Sequence, residues 1–587
     1  MARTLWFFLL LGCGGTTHSV PEEADGDADS DSDGDADADA DSDDGNLPPD
    51  EWADALFDPD RLIEIVIEMD PEDAEELARQ TRTIEDIIGG ADCLAEPHVS
   101  PFTYFPATVT VDGERLEEVG VRKKGFLGSL SETKPALKLD FGEFVPDREL
   151  HGLNKLTLNN SVSDPSYVRQ CLTYQLFADA GIPAPRCNFA HVVVNGIDLG
   201  VYVHLQSVGE DMLGEWFDED EGDLWEGAIS DFRSDWVGTL ELKTNEQSED
   251  RSRLGRVVEA AEASDGAIVD ALGEVIDVDQ FTTFWAMEVL TAHWDGYAGN
   301  TNNFFVYDDP TSGRFQFMPW GTDGAMHRPG DFGMGSSTLV TSVLPYRLYQ
   351  IPEMQEAYVD EVIRLLDAVW DTDALVAEID RMEALVAPVA DPSGIGDMRE
   401  AVEDVRRFVL TRHADVTAEL DALPPITDSL REAPCMVPVG DASGTFEATF
   451  GTLGAEDPFA QGGTGSLAGV VSEAELNEVL TTATAGFDPN NPGDPRPIVQ
   501  IISWLDTGKI AIAHFSVDPA GFVPGAVLAL DFAQSLGMLY ELDVETGEFS
   551  ALGMLTSGTL TLDAASVEEG AAVTGSFEAE VVDFPWM

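Results

Sequence analysis

The chain has 587 residues, of which 111 are acidic and 31 basic, so its formal net charge is −80. Hydrophobic residues make up 43 % of it, with 11 Trp and 30 Phe, which is enough apolar side chain to build cores and excludes disorder throughout. The charge argues against nucleic acid and anionic lipid as partners, because both would be repelled, and it favours cationic partners or divalent metals. At roughly 150 residues per domain, the length predicts two to four domains.

The N-terminus is predicted to be a lipoprotein signal peptide over residues 1–12. Arg3 precedes a short apolar run from Leu5 to Leu11, and the run ends in Gly12-Cys13, which is similar to a bacterial lipobox. Cleavage before Cys13 and lipidation of its sulfur would attach an exported protein to the outer membrane or cell surface through lipid alone. No run of 18 or more apolar residues occurs, so the sequence predicts no transmembrane helix.

Residues 13–50 are predicted to form a disordered acidic spacer. From Glu22 to Asp44, 13 of 23 residues are acidic and the rest are Ala, Ser and Gly, so the segment repels itself and cannot bury apolar surface. The run beginning at Asp29 has the spacing of a calcium loop, but Ala40 stands where such a loop needs a bidentate Glu. A defined calcium site is therefore not expected.

Four cysteines remain beyond Cys13. They are Cys93, Cys171, Cys187 and Cys435. An even number in an exported chain permits two disulfides with three possible connectivities, and buried free thiols are the alternative. No Cys-x-x-Cys occurs, which argues against a zinc or redox motif.

Residues 51–207 are predicted to form a sheet-rich lobe. Alternating apolar runs predict strands at 61–69, 105–111, 116–122, 136–141, 153–158, 189–194 and 199–205. Asp-Pro pairs open helices predicted over 70–79 and 164–180, because proline is tolerated in a first turn. Asn195-Gly196 predicts a hairpin turn between the last two strands. The lobe is expected to be a mostly antiparallel sheet with one prominent helix.

Residues 208–430 are predicted to form a helical lobe, and residues 436–587 an accessory domain. Helical spacing recurs over 248–263, 268–276, 278–292 and 353–423, with a second hairpin over 303–318. Beyond residue 436, short alternating runs with frequent turn signals predict an all-β, sandwich-like domain. The fold class is therefore α+β, with a sheet lobe, a helical lobe, an implied cleft between these lobes and a C-terminal β domain.

The candidate chemistry lies in residues 293–303. His293-x-Asp295 is followed five residues later by Asn300, which is the spacing of the protein-kinase catalytic loop. In that loop the Asp accepts the proton of the substrate hydroxyl, and the Asn holds a metal ion on the transferring phosphate. Asp323, just past the second hairpin, is placed to be the second metal carboxylate. The alternative is a polar loop whose asparagines cap turns.

Several motifs in combination resemble the spore-coat-protein-H (CotH) kinase family. They are Trp294-Asp295-Gly296-Tyr297, Asn302-Asn303-Phe304-Phe305-Val306-Tyr307, Pro319-Trp320, Arg122-Lys123-Lys124-Gly125, Lys134-Pro135-Ala136-Leu137-Lys138, Leu158-Asn159-Asn160 and Gly200-Val201-Tyr202. The resemblance covers about residues 55–420. It implies a divergent two-lobed protein-kinase-like fold, with ATP and Mg²⁺ or Mn²⁺ as cofactors. It also implies transfer of phosphate to Ser or Thr of an extracytoplasmic protein.

The same resemblance assigns roles to individual residues. Asp295 would be the catalytic base, and Asn300 and Asp323 would hold the metal ion. Lys138 is the first choice for the lysine on the ATP phosphates, because it lies inside a predicted strand like the lysine of protein kinases. Lys124, beside a glycine, is its rival.

Three departures from the family pattern leave two hypotheses open. Gly321 replaces the first Asp of Pro-Trp-Asp-x-Asp, Gln170 stands where a helix Glu often pairs with the lysine, and Gln206 stands where an acidic residue is usual. A neutral Gln cannot form the ion pair of an active kinase. The chain is therefore expected to be either a surface-anchored protein kinase or a weakly active or inactive surface binding protein with the same fold.

Overall fold

The computed structural model describes residues 49–126, 128–245, 250–327, 338–390, 395–420, 430–489, 491, 494–531 and 534–583. The predicted signal peptide, the lipidation site Cys13 and the acidic spacer as far as residue 48 lie outside the described residues. Within the described part, no helix is both long and apolar enough to cross a membrane. The chain divides into two compact units: the first holds the described residues up to Thr83 together with Leu94–Arg431, and the second holds Ile84–Cys93 with the residues from Glu432 onward.

The first unit contains a closed barrel of seven strands. They are β1 (Leu62–Met69), β2 (Phe105–Val111), β3 (Glu114–Lys123), β4 (Leu137–Asp140), β5 (Lys155–Asn159), β6 (Cys187–Val194) and β7 (Ile197–Gln206). Their order is β1-β2-β3-β4-β5-β7-β6, and all neighbours are antiparallel except β1 and β6. Ile63, Ile65 and Ile67 are buried because alternate side chains of a strand share one face. The local pattern predicted the strands but not the closure.

Helices and a small sheet complete the first unit. The helices are α1 (Pro49–Leu56), α2 (Pro71–Arg79), α4 (Val168–Asp179), α5 (Glu210–Trp216), α6 (Ser252–Ala261), α7 (Ile268–Gly273), α8 (Val278–Leu290), α9 (Tyr297–Asn300), α10 (Val343–Tyr349), α11 (Pro352–Ala368), α12 (Thr372–Val386) and α13 (Ile395–Leu420). Strands β8 (Asp223–Gly227), β9 (Glu241–Leu242), β10 (Phe304–Asp309) and β11 (Arg314–Pro319) pair in the order β11-β10-β8-β9. Strands β8 and β9 fall where the sequence predicted only a helical lobe.

The inserted helix α4 shares its core with the helical part of the unit. Phe177 of α4 contacts Phe284 of α8, with ring centroids 5.9 Å apart, and both belong to one continuous apolar cluster. A second cluster fills the barrel. Helix α4 follows strand β5 and precedes strand β6 of the barrel. Because α4 and α8 share one apolar cluster, α4 connects these two strands to the loop that follows α8.

The second unit is a β domain with two short helices. Its elements are α3 (Glu85–Ile88), β12 (Val437–Thr449), α14 (Pro458–Gln461), β13 (Thr464–Val471), β14 (Ala474–Glu475), β15 (Glu478–Gly486), β16 (Ile498–Leu505), β17 (Lys509–Val517), β18 (Ala526–Ala529), β19 (Ser535–Asp543), β20 (Phe549–Ala564) and β21 (Ala572–Asp583). All ten strands belong to one sheet, not to two separate sheets. The sheet folds over itself, so that Ile501 lies close to Gly444 and Gly465 of the opposite end. The mixed α+β class is confirmed.

A disulfide joins the two separate chain segments that make up the second unit. Cys93 pairs with Cys435 across 342 residues, and the backbone N–H of Met436 donates to the carbonyl of Ile88. The other disulfide joins Cys171 of α4 to Cys187 of β6. These pairings choose one of the three connectivities that the sequence left open.

Candidate active site

The loop between α8 and β10 holds Asp295 by three amide groups. Asn300 Nδ2 donates to Asp295 Oδ1 at 2.5 Å, Asn302 Nδ2 donates to the same oxygen at 3.3 Å, and Asn303 Nδ2 donates to Oδ2 at 2.7 Å. Burial raises the pKa of Asp295, but these bonds and the charge of Arg431 oppose that rise. The carboxylate is therefore fixed in direction by its own loop. The sequence singled out only Asn300 as a functional partner.

Asp323 lies close enough to Asp295 for the two carboxylates to interact electrostatically. It belongs to a 3₁₀ turn, Thr322–Gly324, that follows β11. The pKa of Asp323 is raised to about 6, chiefly by burial and also by the charges of Asp164 and Asp295, while Lys124 opposes the rise. The structure thus brings together the predicted base, the predicted metal carboxylate and one of the predicted lysines.

The donor atoms here suit a hard cation. Two carboxylates that repel each other favour a cation between or beside them, and Mg²⁺ and Mn²⁺ prefer oxygen ligands. The side-chain nitrogen Nδ2 of Asn300 donates to Asp295, so the side-chain oxygen Oδ1 of Asn300 is the atom that could bind a metal ion. Among the residues described, no three His, Cys, Asp or Glu side chains form a metal-binding group. Asp323 and Asn300 would therefore hold an ion together with ligand oxygens and water.

The glycine at position 321 has a structural reason. Gly321 has a φ of +52°, and a Cβ placed on it would lie 2.6 Å from Asn303 Oδ1. Asn303 is the residue that donates to Asp295 Oδ2. An Asp at position 321 would therefore displace an amide that orients the predicted base. The departure from the family motif at position 321 therefore leaves room for the side chain of Asn303.

The few lysines of the chain are concentrated in one part of the sequence, and some of them lie near this site. The sequence contains seven lysines, and six of them lie between residues 123 and 243. Lys124 Nζ donates to Asn159 Oδ1 at 2.6 Å and lies 5.3 Å from the ring centre of Trp320. Burial lowers the pKa of Lys124 to about 8, against the opposing charges of Asp323 and Glu226. Lys124, the second choice in the sequence, is the lysine that interacts with Asp323.

Lys138, the first choice, has different neighbours. The pKa of Lys138 is lowered to about 7, chiefly by burial and also by the charges of Arg122, Lys155 and Lys243, whereas Glu226 opposes the fall. Two of these cations are ion-paired in the structure, Lys155 with Asp140 and Lys243 with Glu226 and Glu241. A group of neighbouring cations suits a polyanionic group such as a triphosphate, which would compete with these carboxylates for them.

Glu226 is a site residue that the sequence reasoning missed. It lies on β8, and Lys243 Nζ is 2.8 Å from its Oε2. Burial raises the pKa of Glu226, but Lys243, Lys138 and Lys124 outweigh burial and hold the pKa below its usual value. The available signal in the sequence was an acidic residue, Glu226, directly after the apolar pair Leu224-Trp225. The sequence analysis predicted no strand or helix at this position.

The two glutamines have separate roles. Gln170 Oε1 accepts from Asn159 Nδ2 at 2.8 Å, so Gln170 reaches Lys124 only through Asn159. Gln206 Nε2 donates to Glu215 Oε1 at 2.8 Å. The carboxylates that interact with the site lysines are Glu226 and, for Lys124, also Asp323, rather than a residue on α4. The missing helix Glu therefore does not leave the lysines without a negative partner.

Glu288 lies beneath the loop and fixes its backbone. Its Oε1 accepts from the N–H of Tyr297 at 2.7 Å and its Oε2 from the N–H of Ala298 at 2.8 Å, in a fully buried position. A Cβ on Gly296 would lie 2.1 Å from Glu288 Oε1, so this close approach requires glycine. The carboxylate therefore connects α8 directly to the start of α9.

A pH dependence of stability follows from this buried carboxyl group. Burial raises the pKa of Glu288 to about 8, whereas an unfolded Glu titrates near 4.3. Between these values the folded chain holds a proton that the unfolded chain lacks, so the free energy of unfolding should fall as the pH rises from about 5 to 8. We expect the variant Glu288→Gln, which cannot titrate, to show a smaller fall. Thermal unfolding across this range measures the difference.

The difference between the two proteins is the quantity to measure. Burial also raises the pKa values of Asp211, Asp231 and Asp323 to about 6, so the variant should retain part of the slope. Equal slopes in wild type and Glu288→Gln would contradict the assignment of the raised pKa to Glu288.

Comparison with known proteins shows which family the chain belongs to. The sequence profile of the CotH kinase protein family matches residues 121–414, which is half of the chain. The matched region contains Lys124, Glu226, Asp295 and Asp323. The chain belongs to the CotH kinase family, as the motifs predicted.

Individual relatives match a smaller part. Inner spore coat protein H of Bacillus subtilis is 26 % identical over 235 residues, which are 38 % of this chain and 62 % of the relative. Invasin CotH2 of Rhizopus delemar is 24 % identical over 174 residues, or 27 % of this chain and 29 % of the relative. The chain thus spans less than two thirds of the length of either relative.

One solved structure overlaps part of the chain. The Helicobacter pylori proinflammatory kinase CtkA covers 51 % of this chain and 94 % of its own, with 8 % sequence identity and a TM-score of 0.26. A TM-score this low supports no conclusion about this chain.

Proposed function

We propose that this chain is a protein kinase of the bacterial cell surface, which transfers the terminal phosphate of ATP to Ser or Thr of an extracytoplasmic protein. The observation that supports it most is the meeting of Asp295, Asp323 and Lys124 at one site. A base, a metal carboxylate and a phosphate-binding lysine are the groups that phosphoryl transfer requires. Membership of the CotH kinase family supports the same reaction.

Each residue of the site has a task in the proposed reaction. Asp295, oriented by its asparagines, accepts the proton of the attacking hydroxyl group. Asp323 and the carbonyl oxygen of Asn300 hold Mg²⁺ or Mn²⁺, which when bound neutralises charge on the phosphates. Lys124, held by Asn159, binds a phosphate oxygen. Glu226 provides a negative partner for Lys124, Lys138 and Lys243.

The proposed kinase is tested by ATP binding and autophosphorylation of the full chain carrying Cys13→Ser, with and without Mn²⁺. We expect ATP to bind only with the metal ion, and phosphate to appear on Ser or Thr. The matched control is the same chain with Asp323→Asn. A folded wild-type chain that binds no ATP would overturn the proposal and favour a surface binding protein of the same fold.

The two lysines are expected to differ in their contribution to nucleotide binding. Loss of a hydrogen bond to a charged group costs about 1.5–3 kcal/mol, so Lys124→Ala should weaken ATP binding by about 10- to 100-fold. Lys138→Ala should have a smaller effect, because the charges of Lys155 and Lys243 remain near its position. Isothermal titration of both variants with ATP and Mn²⁺ compares them. A larger loss in Lys138→Ala would reverse the assignment.

Attachment to the membrane through lipidated Cys13 is part of the proposal. The acyl chains provide the affinity, so Cys13→Ser should move the protein to the soluble fraction of expressing cells. Wild type and an Arg3→Lys variant, which keeps the charged start of the signal, should stay with the membranes. Equal retention of Cys13→Ser and wild type would contradict lipid anchoring.

A further inference from the structure

The C-terminal sheet presents a row of apolar side chains on the face opposite its core. Leu480, Trp504, Ile510, Leu542 and Phe549 are direct neighbours in register across strands β15, β16, β17, β19 and β20. The residues that alternate with them, such as Ile501 and Ala511, belong to the core cluster of the domain. Because successive residues of a strand point to opposite faces, the row lies on the outer face.

The row has the form of a shallow trough. Leu480, Trp504 and Phe549 are 56 %, 37 % and 52 % exposed, whereas Ile510 in the middle is 9 % exposed. Four strand spacings separate the ends of the row, which gives a length of about 19 Å. Exposed apolar rows of this extent are typical of surfaces that bind another molecule.

An aromatic pair lies near each end of the trough. The ring of Phe459 lies against that of Trp504, with centroids 6.3 Å apart. At the other end Tyr540 and Phe549 are stacked, with centroids 5.0 Å apart. Trp and Tyr are enriched among the residues that dominate binding energies, so these pairs suit the two ends of a contact site.

The charge of the domain restricts what can bind there. From residue 432 to the end, the sequence has 23 acidic and 2 basic residues, a net charge of −21. Both basic side chains are paired, Arg496 with Asp494 and Lys509 with Glu541. A second copy of this chain, an anionic lipid surface or a nucleic acid would be repelled.

The turns beside the trough add local negative charge. Asp506 lies in the turn between β16 and β17, and Glu545 and Glu548 lie in the turn between β19 and β20. All three are exposed. A partner with apolar side chains in the trough would therefore meet carboxylates directly beside them, where lysine or arginine side chains gain most.

We infer that this trough binds a cationic polypeptide segment that has apolar side chains on one side and lysine or arginine on the other. The apolar side chains cover Trp504, Leu542 and Phe549, and the cations pair with the carboxylates of the adjacent turns. This contact lies outside the proposed kinase site and does not depend on it. It gives the accessory domain a binding function with a partner of defined chemistry.

The test uses the full chain carrying Cys13→Ser, without nucleotide, and two synthetic nine-residue peptides. One alternates Lys with Leu, and the other alternates Lys with Ser, so both have the same charge. In 0.15 M salt, we expect the Lys–Leu peptide to bind the wild type at least tenfold more tightly than it binds the variant Trp504→Ser with Phe549→Ser. We expect the Lys–Ser peptide to bind the two proteins equally.

Controls separate the trough from general attraction to an acidic chain. Leu480→Ser alone, at a largely exposed position, should weaken the Lys–Leu peptide without changing the melting temperature. Val527→Ser, at an exposed position on β18, should leave binding unchanged. The inference is overturned if the double variant binds the Lys–Leu peptide as tightly as wild type does. It is also overturned if both peptides bind wild type equally, or if sedimentation shows self-association that the double variant loses.

Discussion

Replacing Asp295 with asparagine is expected to lower phosphotransfer by about 10²- to 10⁴-fold while nucleotide binding stays nearly normal. Asp295 meets the incoming hydroxyl group in the proposed reaction, so its loss affects the transition state and not the bound nucleotide. Asp323→Asn should instead weaken metal-dependent ATP binding, because Asp323 holds the metal ion on the phosphates in the proposed reaction. Titration with ATP and Mn²⁺, together with single-turnover phosphorylation, separates the two effects.

Melting curves of both variants serve as the control. Each substitution keeps the size of the side chain, so neither opens a cavity. Asn at position 295 replaces an acceptor oxygen with a donor that faces Asn300, Asn302 or Asn303, which should cost only a modest loss of stability. If both variants melt early and neither changes ATP binding, the loop is structural and the proposed reaction is wrong.

The variant Asp164→Ala is expected to lower the free energy of unfolding by about 3–5 kcal/mol. Asp164 Oδ1 accepts from Arg169 Nη1 at 2.7 Å, and both side chains are buried. Asp164 Oδ2 also accepts from the N–H of Arg169 at the start of α4, at 3.1 Å. Removal of the carboxylate would leave the guanidinium buried without its charge partner.

A double variant separates two contributions to the lost stability. One is the cost of leaving the Arg169 guanidinium without its charge partner, and the other is the loss of the backbone hydrogen bond at the start of α4. Arg169→Met removes the uncompensated charge, so Asp164→Ala with Arg169→Met should be more stable than Asp164→Ala alone. Urea unfolding of the two single variants and the double variant measures the coupling between the residues. If the double variant loses as much stability as the sum of the single ones, the pair is not energetically coupled.

The sequence singled out candidate site residues but not the contacts between them. The spacing of His293, Asp295 and Asn300 is local, and it predicted a loop of the catalytic type, whereas the hydrogen bond from Asn300 to Asp295 was seen only in the structure. The position of Glu226 relative to Lys124 and Lys138 depends on the packing of β8 near the barrel, which no local pattern encodes. For the same reason, the choice between the two lysines required three-dimensional information.

The fold was predictable to the level of single elements. Strand β2 has the bounds that alternation predicted, 105–111, because alternation is a property of the strand itself. Closure of the barrel depends on the parallel pairing of β1 with β6, which joins residues more than 120 positions apart. The C-terminal domain forms one sheet and includes the segment Ile84–Cys93. Both features also depend on contacts between residues that are far apart in the sequence.

The disulfide between Cys93 and Cys435 makes the two units interleaved along the chain rather than consecutive. A chain cut to residues 436–587 lacks Cys435 and the segment Ile84–Cys93, and a chain cut to residues 51–430 leaves Cys93 without its partner. If the chain is exported unfolded, as the proposed function implies, Cys93 emerges more than 300 residues before Cys435 and has to stay reduced or pair transiently until most of the chain has crossed the membrane. Maturation of the protein should therefore depend on a thiol–disulfide exchange catalyst in the compartment that receives it.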